Sequence, residues 1–144
     1  MHSDLIELLQ LLEKHKVKYL IIGGYAVGVH AEPRATKDLD IWVAATSING
    51  TKLLNALREF GAPIDNLSID DIKKPGLIYI FGIPPVRVDI LNKVGNENFE
   101  MAFKKKVEAR FGKVNVSIVP KSVLIRMKKA AGRPQDKADL KKLI

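Results

Sequence analysis

The stretch Arg34-Ala35-Thr36-Lys37-Asp38-Leu39-Asp40-Ile41-Trp42-Val43 decides how this chain is read. From Asp38 to Val43 its composition predicts a strand. Side chains two apart on a strand share a face. Asp38 and Asp40 therefore project together, while Leu39 and Ile41 point into the core. Two carboxylates held this way repel each other, and one takes a raised pKa unless a cation neutralises the pair. Oxygen ligands of this kind suit magnesium or manganese, which bind few protein carboxylates and complete their shell with phosphate and water. Taken alone, Asp-x-Asp also fits a loop aspartate followed by a solvent-facing one.

Upstream, Lys18 to Ile22 reads as a short buried strand stopped by Gly23-Gly24, with a helix from Tyr25 to His30 ended by Pro33. Glycines at such a junction let backbone approach a phosphate, and the N–H groups of the helix start face it. Downstream, Asn49 to Phe60 is an amphipathic helix with Gly61 as its stop. Ala62 to Pro75 is an irregular connection with one helical turn near Ser68 to Lys73. Leu77 to Phe81 and Val86 to Leu91 flank Gly82-Ile83-Pro84-Pro85 and predict a hairpin. Alternation puts Val86, Val88 and Ile90 on one face and Arg87 with Asp89 on the other. If that strand lies beside Asp38 to Val43, three carboxylates converge, which is what two-metal phosphoryl chemistry needs.

The rest follows from periodicity. Residues 4–15 form an amphipathic helix with Ser3 as N-cap. Asn98 to Lys105 is helical, and Val107 to Phe111 pairs with Val114 to Val119 across Gly112-Lys113. One helix runs from Pro120 through Lys129, and another from Asp136 to Leu143. The expected architecture is α+β: one domain over residues 1–144, a mixed sheet flanked by helices, with residues from about 120 to 144 as a helical extension.

Composition bounds the chemistry. The 144 residues are 47% hydrophobic and 28% charged, as in an ordinary globular domain. With no cysteine, a disulfide framework and a thiolate zinc site are excluded, and a cytoplasmic location is the expectation. No apolar run approaches the roughly 20 residues of a membrane helix. Net charge is +8, and the excess lies late, in Lys104-Lys105-Lys106 and from Arg126 to Lys142. That balance favours anionic partners.

The joint pattern of Gly23-Gly24, Asp38-Leu39-Asp40 and Asp89 resembles the nucleotidyltransferase superfamily that shares its catalytic core with polymerase beta. More narrowly, the chain resembles small bacterial and archaeal members related to lincosamide and AbiEii-type toxin nucleotidyltransferases. The Arg-x-Thr-x-Asp-x-Asp run from Arg34, the Gly-x-Pro-Pro-x-Arg-x-Asp run from Gly82 and the late run from Lys128 through Arg133, Asp136, Asp139 and Leu140 carry that likeness. The resemblance implies transfer of a nucleoside monophosphate from an NTP such as ATP. Asp38, Asp40 and Asp89 would act as catalytic metal ligands for Mg2+ or Mn2+. Gly23, Gly24, Arg34, Thr36 and Lys128 would sit on the nucleotide side. Arg133 and Asp136 are read as a structural pair fixing the last helix. Gly-Gly replaces the family's Gly-Ser, so a serine contact to phosphate is missing. With no large substrate-recognition domain read before Ile144, acceptor selection is expected to be missing or to be built from a partner chain or a second copy. RNA, for example a tRNA end, is the expected acceptor, with a small molecule such as an antibiotic, or a protein, as the alternative. The competing reading keeps the fold without turnover, as a nucleotide- or nucleic-acid-binding protein or half of a toxin–antitoxin pair.

Overall fold

A computed structural model describes residues 1–144. The elements are α1 (Ser3–Lys14), β1 (Tyr19–Ile22), α2 (Gly23–His30), β2 (Asp38–Val43), α3 (Ser47–Phe60), α4 (Ile69–Lys73), β3 (Ile78–Phe81), β4 (Arg87–Leu91), α5 (Phe99–Lys104), β5 (Val107–Phe111), β6 (Val114–Ile118), α6 (Lys121–Ala131) and α7 (Pro134–Leu143). This is the α+β architecture that the sequence predicts. One six-stranded sheet has the order β3-β4-β2-β1-β6-β5. It is mixed: β1 runs antiparallel to β2 and parallel to β6, β2 parallel to β4, and both hairpins are antiparallel.

The central strands carry the core. All of β1 is buried, and in β2 Leu39, Ile41 and Val43 are fully enclosed on one face. The opposite face of β2 bears Asp38, Asp40 and Trp42. Trp42 is buried there edge-on to Phe99 of α5, with ring centroids 5.2 Å apart. One face of β2 is thus wholly apolar, and the other is apolar at one end and acidic at the other. α1 packs on α3, while α2 meets β1, β2, α6 and α7. The acidic end is therefore left facing the C-terminal helices.

Local signals account for most boundaries. Thr46 caps α3 by accepting from the Asn49 N–H, and Gly61 ends it in the left-handed region at φ 91°. Ser68 and Asp71 form a capping box on α4, which is the helical turn expected near Ser68 to Lys73. Four helix starts differ from expectation, among them α7, which begins at Pro134 rather than Asp136. His2, not Ser3, caps α1, its Nδ1 accepting from the Asp4 N–H at 3.1 Å. α2 begins at Gly23 rather than Tyr25, and α3 at Ser47 rather than Asn49. The Asn49 side chain is buried and ties strands together. It accepts from the Lys18 N–H at 2.7 Å and donates to the carbonyls of Lys18 and Ala44. Those bonds satisfy the Lys18 N–H and the Ala44 carbonyl at the ends of β1 and β2, and add to the bond that the Lys18 carbonyl accepts from the Ala44 N–H.

Candidate active site

The register of the sheet assembles the acidic cluster. Asp40 lies opposite Asp89 and Asp38 opposite Arg87 on the parallel strands β2 and β4. Neighbours in register on adjacent strands project to the same side. The ligand oxygens of Asp38, Asp40 and Asp89 lie within 4.8 Å of one another. No side chain or backbone N–H donates to the carboxylates of Asp38 or Asp40. Asp89 is held by Arg87, whose Nε and Nη2 donate to its two oxygens at 2.9 and 3.2 Å. Arg87 Nε also approaches Asp38 at 3.9 Å.

Three acids in half-buried surroundings with one cation beside them are under-neutralised. Burial, then the charges of Asp89 and Asp38, push Asp40 up to about 7 from an ordinary 3.8, against the pull of Lys128 and Arg87. The donor set fits a hard divalent cation: the bare carboxylate oxygens of Asp38 and Asp40 stand close to the Arg87-bound oxygens of Asp89, and Asp40 is half protonated near neutrality for want of positive charge.

The glycine pair is explained by what it touches. Gly23 has φ 70°, and a Cβ there would stand 2.1 Å from the Asp40 Oδ2. A Cβ on Gly24 would stand 2.7 Å from the Thr36 Oγ1 and 3.1 Å from the Arg34 Cζ. The start of α2 is therefore seated directly against Asp40, Thr36 and Arg34. No side chain fits at either position without moving them.

On the other flank, α6 and α7 bring a second charged group. Lys128 is buried, its ammonium 3.1 Å from Asp136 and 3.0 Å from Asp139. Arg34 reaches the same Asp139, with Nη2 donating to Oδ2 at 3.1 Å. Its Nε, 3.0 Å from Asp139 Oδ1, makes no hydrogen bond and is the one buried side-chain polar atom without one. Arg133 closes the N-terminus of α7 by donating to Asp136 at 2.7 Å, the structural pairing expected of these two residues. Burial pushes the Asp136 and Asp139 carboxyls up. Hydrogen bonds from Arg133 and Lys128 to the first, and from Lys128 and Gln135 to the second, outweigh it and leave both below the ordinary range. Thr36 donates to the Asp38 carbonyl at 3.1 Å, pinning the entry to β2.

Between these groups open two adjoining clefts of about 400 and 330 Å3. Gly23, Asp38, Asp40, Lys128, Arg133 and Asp136 line both. The larger adds Gly24, Arg34, Thr36 and Lys37 and has Ala35 as its one hydrophobic lining residue. The smaller adds Asp89 and Lys93 together with Ile22, Leu91, Val94, Leu124, Met127 and Ala131. The structure thus gathers every residue expected at the site: the three carboxylates at the centre, Gly23, Gly24, Arg34 and Thr36 to one side, and Lys128 bridging the clefts.

The basic C-terminal rim is not gathered in the same way. Of its members only Lys128 and Arg133 reach the clefts. Arg126 is held by Glu97 and Lys142 by Glu32. Lys121, Lys129, Lys137 and Lys141 are exposed. Sequence reading missed Asp139 as the common partner of Lys128 and Arg34. The signal was present, since two acids three apart on a helix share a face, but their partners lie on other elements.

No protein-family model matches the chain, and no curated protein matches it by sequence. Among solved structures, the chain is similar to the lincosamide antibiotic adenylyltransferase LnuA bound to lincomycin. The TM-score is 0.61, and the match covers 99% of this chain and 96% of that one at 17% sequence identity. Identity that low carries the fold and nothing finer. The acidic cluster, the glycine-opened helix and the two clefts therefore sit on a nucleotidyltransferase fold.

Proposed function

We propose that the protein transfers a nucleoside monophosphate from a metal–NTP complex to an acceptor hydroxyl. The convergence of Asp38, Asp40 and Asp89 within 4.8 Å on one face of the sheet carries this reading. The acceptor oxygen would attack the α-phosphorus, the α–β phosphoanhydride bond would break, and pyrophosphate would leave with its electron pair. Asp38, Asp40 and Asp89 would hold the divalent ions, Mg2+ or Mn2+, which supply Lewis acidity and charge neutralisation at the phosphates. Asp89 would also take the acceptor's proton, once Arg87 has released one of its oxygens. The polar cleft suits the triphosphate: Gly23 and Gly24 bring α2 backbone close, and Arg34 lines the same cleft and adds positive charge. Lys128, already shared between two aspartates, would act as a fixed positive charge rather than a swinging contact. Positioning and charge, not covalent chemistry, would supply the rate.

For the acceptor, the apolar lining of the second cleft beside Asp89 favours a hydroxyl on a small molecule with an apolar body. The likeness to an enzyme seen with a bound lincosamide agrees with this. RNA is the second reading. It rests on the exposed Lys121, Lys129, Lys137 and Lys141, which do not line the cleft. The test is incubation with each α-32P-labelled NTP, Mg2+ and two acceptor pools, cellular RNA and a small-molecule extract. Label should pass to an acceptor in the wild type and not in Asp89→Asn. Absence of label in both pools, with Mg–NTP bound normally, would favour a nucleotide-binding protein without turnover.

A further inference from the structure

The cleft that holds Asp89 does not end at the acidic cluster. It runs into a further cleft of about 280 Å3, and Val94, Met127 and Ala131 line both. The shared floor lies along α6, with Asn96, Glu97 and Arg126 at the far end. Ala131 and Arg126 are five residues apart on that helix, about 7.5 Å along its axis. A groove of that reach accommodates the body of an acceptor as well as its hydroxyl.

The charges along this groove are almost all spent. Outside the three metal-binding acids, its charged lining residues are Lys93, Glu97, Arg126, Lys128, Arg133 and Asp136. Arg126 clasps Glu97 through hydrogen bonds of 2.8, 3.1 and 3.3 Å. Lys128 and Arg133 hold Asp136. Lys93 alone has no acid within ion-pair reach. Its backbone is fixed by its neighbour. Asn92 accepts from the Gly76 and Leu77 N–H groups and donates to the Ile72 and Lys74 carbonyls. The one uncommitted charge of the groove is thus a cation, carried on an anchored segment between Leu91 and Val94, which line the same cleft.

We propose that Lys93 sets acceptor specificity, selecting a small organic alcohol that carries an apolar body and an anionic group such as a carboxylate, sulfate or phosphate. This rests on the reading of the Asp89 cleft as the acceptor side. The hydroxyl enters at Asp89, the body lies on Val94, Met127 and Ala131, and the anionic group meets the Lys93 ammonium. A cationic acceptor finds no free carboxylate here, since Glu97 and Asp136 are taken and the three remaining acids are the metal ligands. It meets an unpaired ammonium instead. An ionic contact beside apolar walls is stronger than one in open water. The net charge of +8 draws the same class of molecule in from a distance.

Two fluorescent probes that differ by one anionic group test this without nucleotide or metal. Anilinonaphthalene sulfonate has an apolar body and a sulfonate, and phenylnaphthylamine is the same body without it. In chelator, wild type should bind the sulfonate more tightly. Lys93→Gln should weaken sulfonate binding about three- to tenfold and leave the neutral probe unchanged, and Lys93→Arg should restore it. Lys113→Gln, in the turn between β5 and β6, removes the same unit of net charge and should change neither. A second arm splits a small-molecule extract on an anion-exchange resin and adds labelled NTP and Mg2+. Label should pass to the retained fraction. Equal wild-type affinity for the two probes, full sulfonate binding by Lys93→Gln, or label passing chiefly to the unretained fraction would overturn the proposal. Sulfonate selection through Lys93 with no label in either fraction would support the anion site while ending the nucleotidyl-transfer reading.

Discussion

Replacing Asp40 with Asn should stabilise the metal-free protein, and only above a definable pH. In the folded chain the Asp40 carboxyl titrates at about 7, against an ordinary 3.8. Burial is the first cause, and the charges of Asp89 and Asp38 follow. The sign follows from proton counting. Between the two values the folded state keeps a proton that the unfolded state has lost, so stability falls as pH rises through that window. At about 1.36 kcal/mol per unit, the full penalty reaches about 4 kcal/mol by pH 8. Asparagine has nearly the same shape and cannot ionise, so it removes the penalty. In a domain of this size 1 kcal/mol moves Tm by about 2–4 °C, which makes the expected gain roughly 8–16 °C at pH 8. At pH 4, where Asp40 is protonated in the folded wild type, the gain should vanish.

Differential scanning fluorimetry across pH 4 to 8, in chelator, measures this directly. A second arm adds Mg2+. A cation that binds the folded state alone stabilises by about 2.7 kcal/mol at a hundred times its Kd. Wild type should gain Tm with Mg2+ at pH 8, and Asp40→Asn should not. A variant no more stable than wild type at pH 8, or equally more stable at pH 4 and pH 8, would show that Asp40 ionisation is not a source of strain. The electrostatic argument for a cation there would then fail.

Two further substitutions test the walls of the site. Gly23→Ala places a Cβ at φ 70° and 2.1 Å from the Asp40 Oδ2; it should cost about 1–3 kcal/mol in chemical denaturation and weaken Mg-dependent NTP binding in calorimetry. Lys128→Met removes the cation shared by buried Asp136 and Asp139; loss of one member of a buried ion pair costs about 3–5 kcal/mol, visible as a lower urea midpoint at pH 7 that recovers toward wild type as the pH is lowered and those acids protonate.

The sheet and the carboxylate cluster were legible because each rests on local alternation. Asp38 and Asp40 are two apart on a strand, and Asp89 alternates with Val88 and Ile90, so a period of two fixes their faces before any pairing is known. Pairing of β2 with β4 then had to bring them together, and the register does so residue for residue. What sequence could not show was partnership across distance. Asn49 reads as a first helical residue, yet its amide ties β1 to the end of β2. Asn92 is similar: it accepts from the Gly76 and Leu77 N–H groups and donates to the Ile72 and Lys74 carbonyls, holding together a connection that reads as irregular.

The C-terminal helices follow the same logic and change what they are for. A buried carboxylate without a cation is costly, and so is a buried ammonium without a carboxylate. Asp136, Asp139, Lys128 and Arg34 each come from a segment that cannot satisfy its own charge: α7 brings two acids, α6 a lysine, and the loop before β2 an arginine. Neither helix can leave without stranding charge on the others. Arg34 belongs to the same run that carries Asp38 and Asp40, only four residues before the first of them. Docking of α7 therefore fixes the loop that leads into the acidic strand. Lys128 of α6 and Gln135 and Asp136 of α7, with Arg133 between the helices, therefore form one wall of the polar cleft.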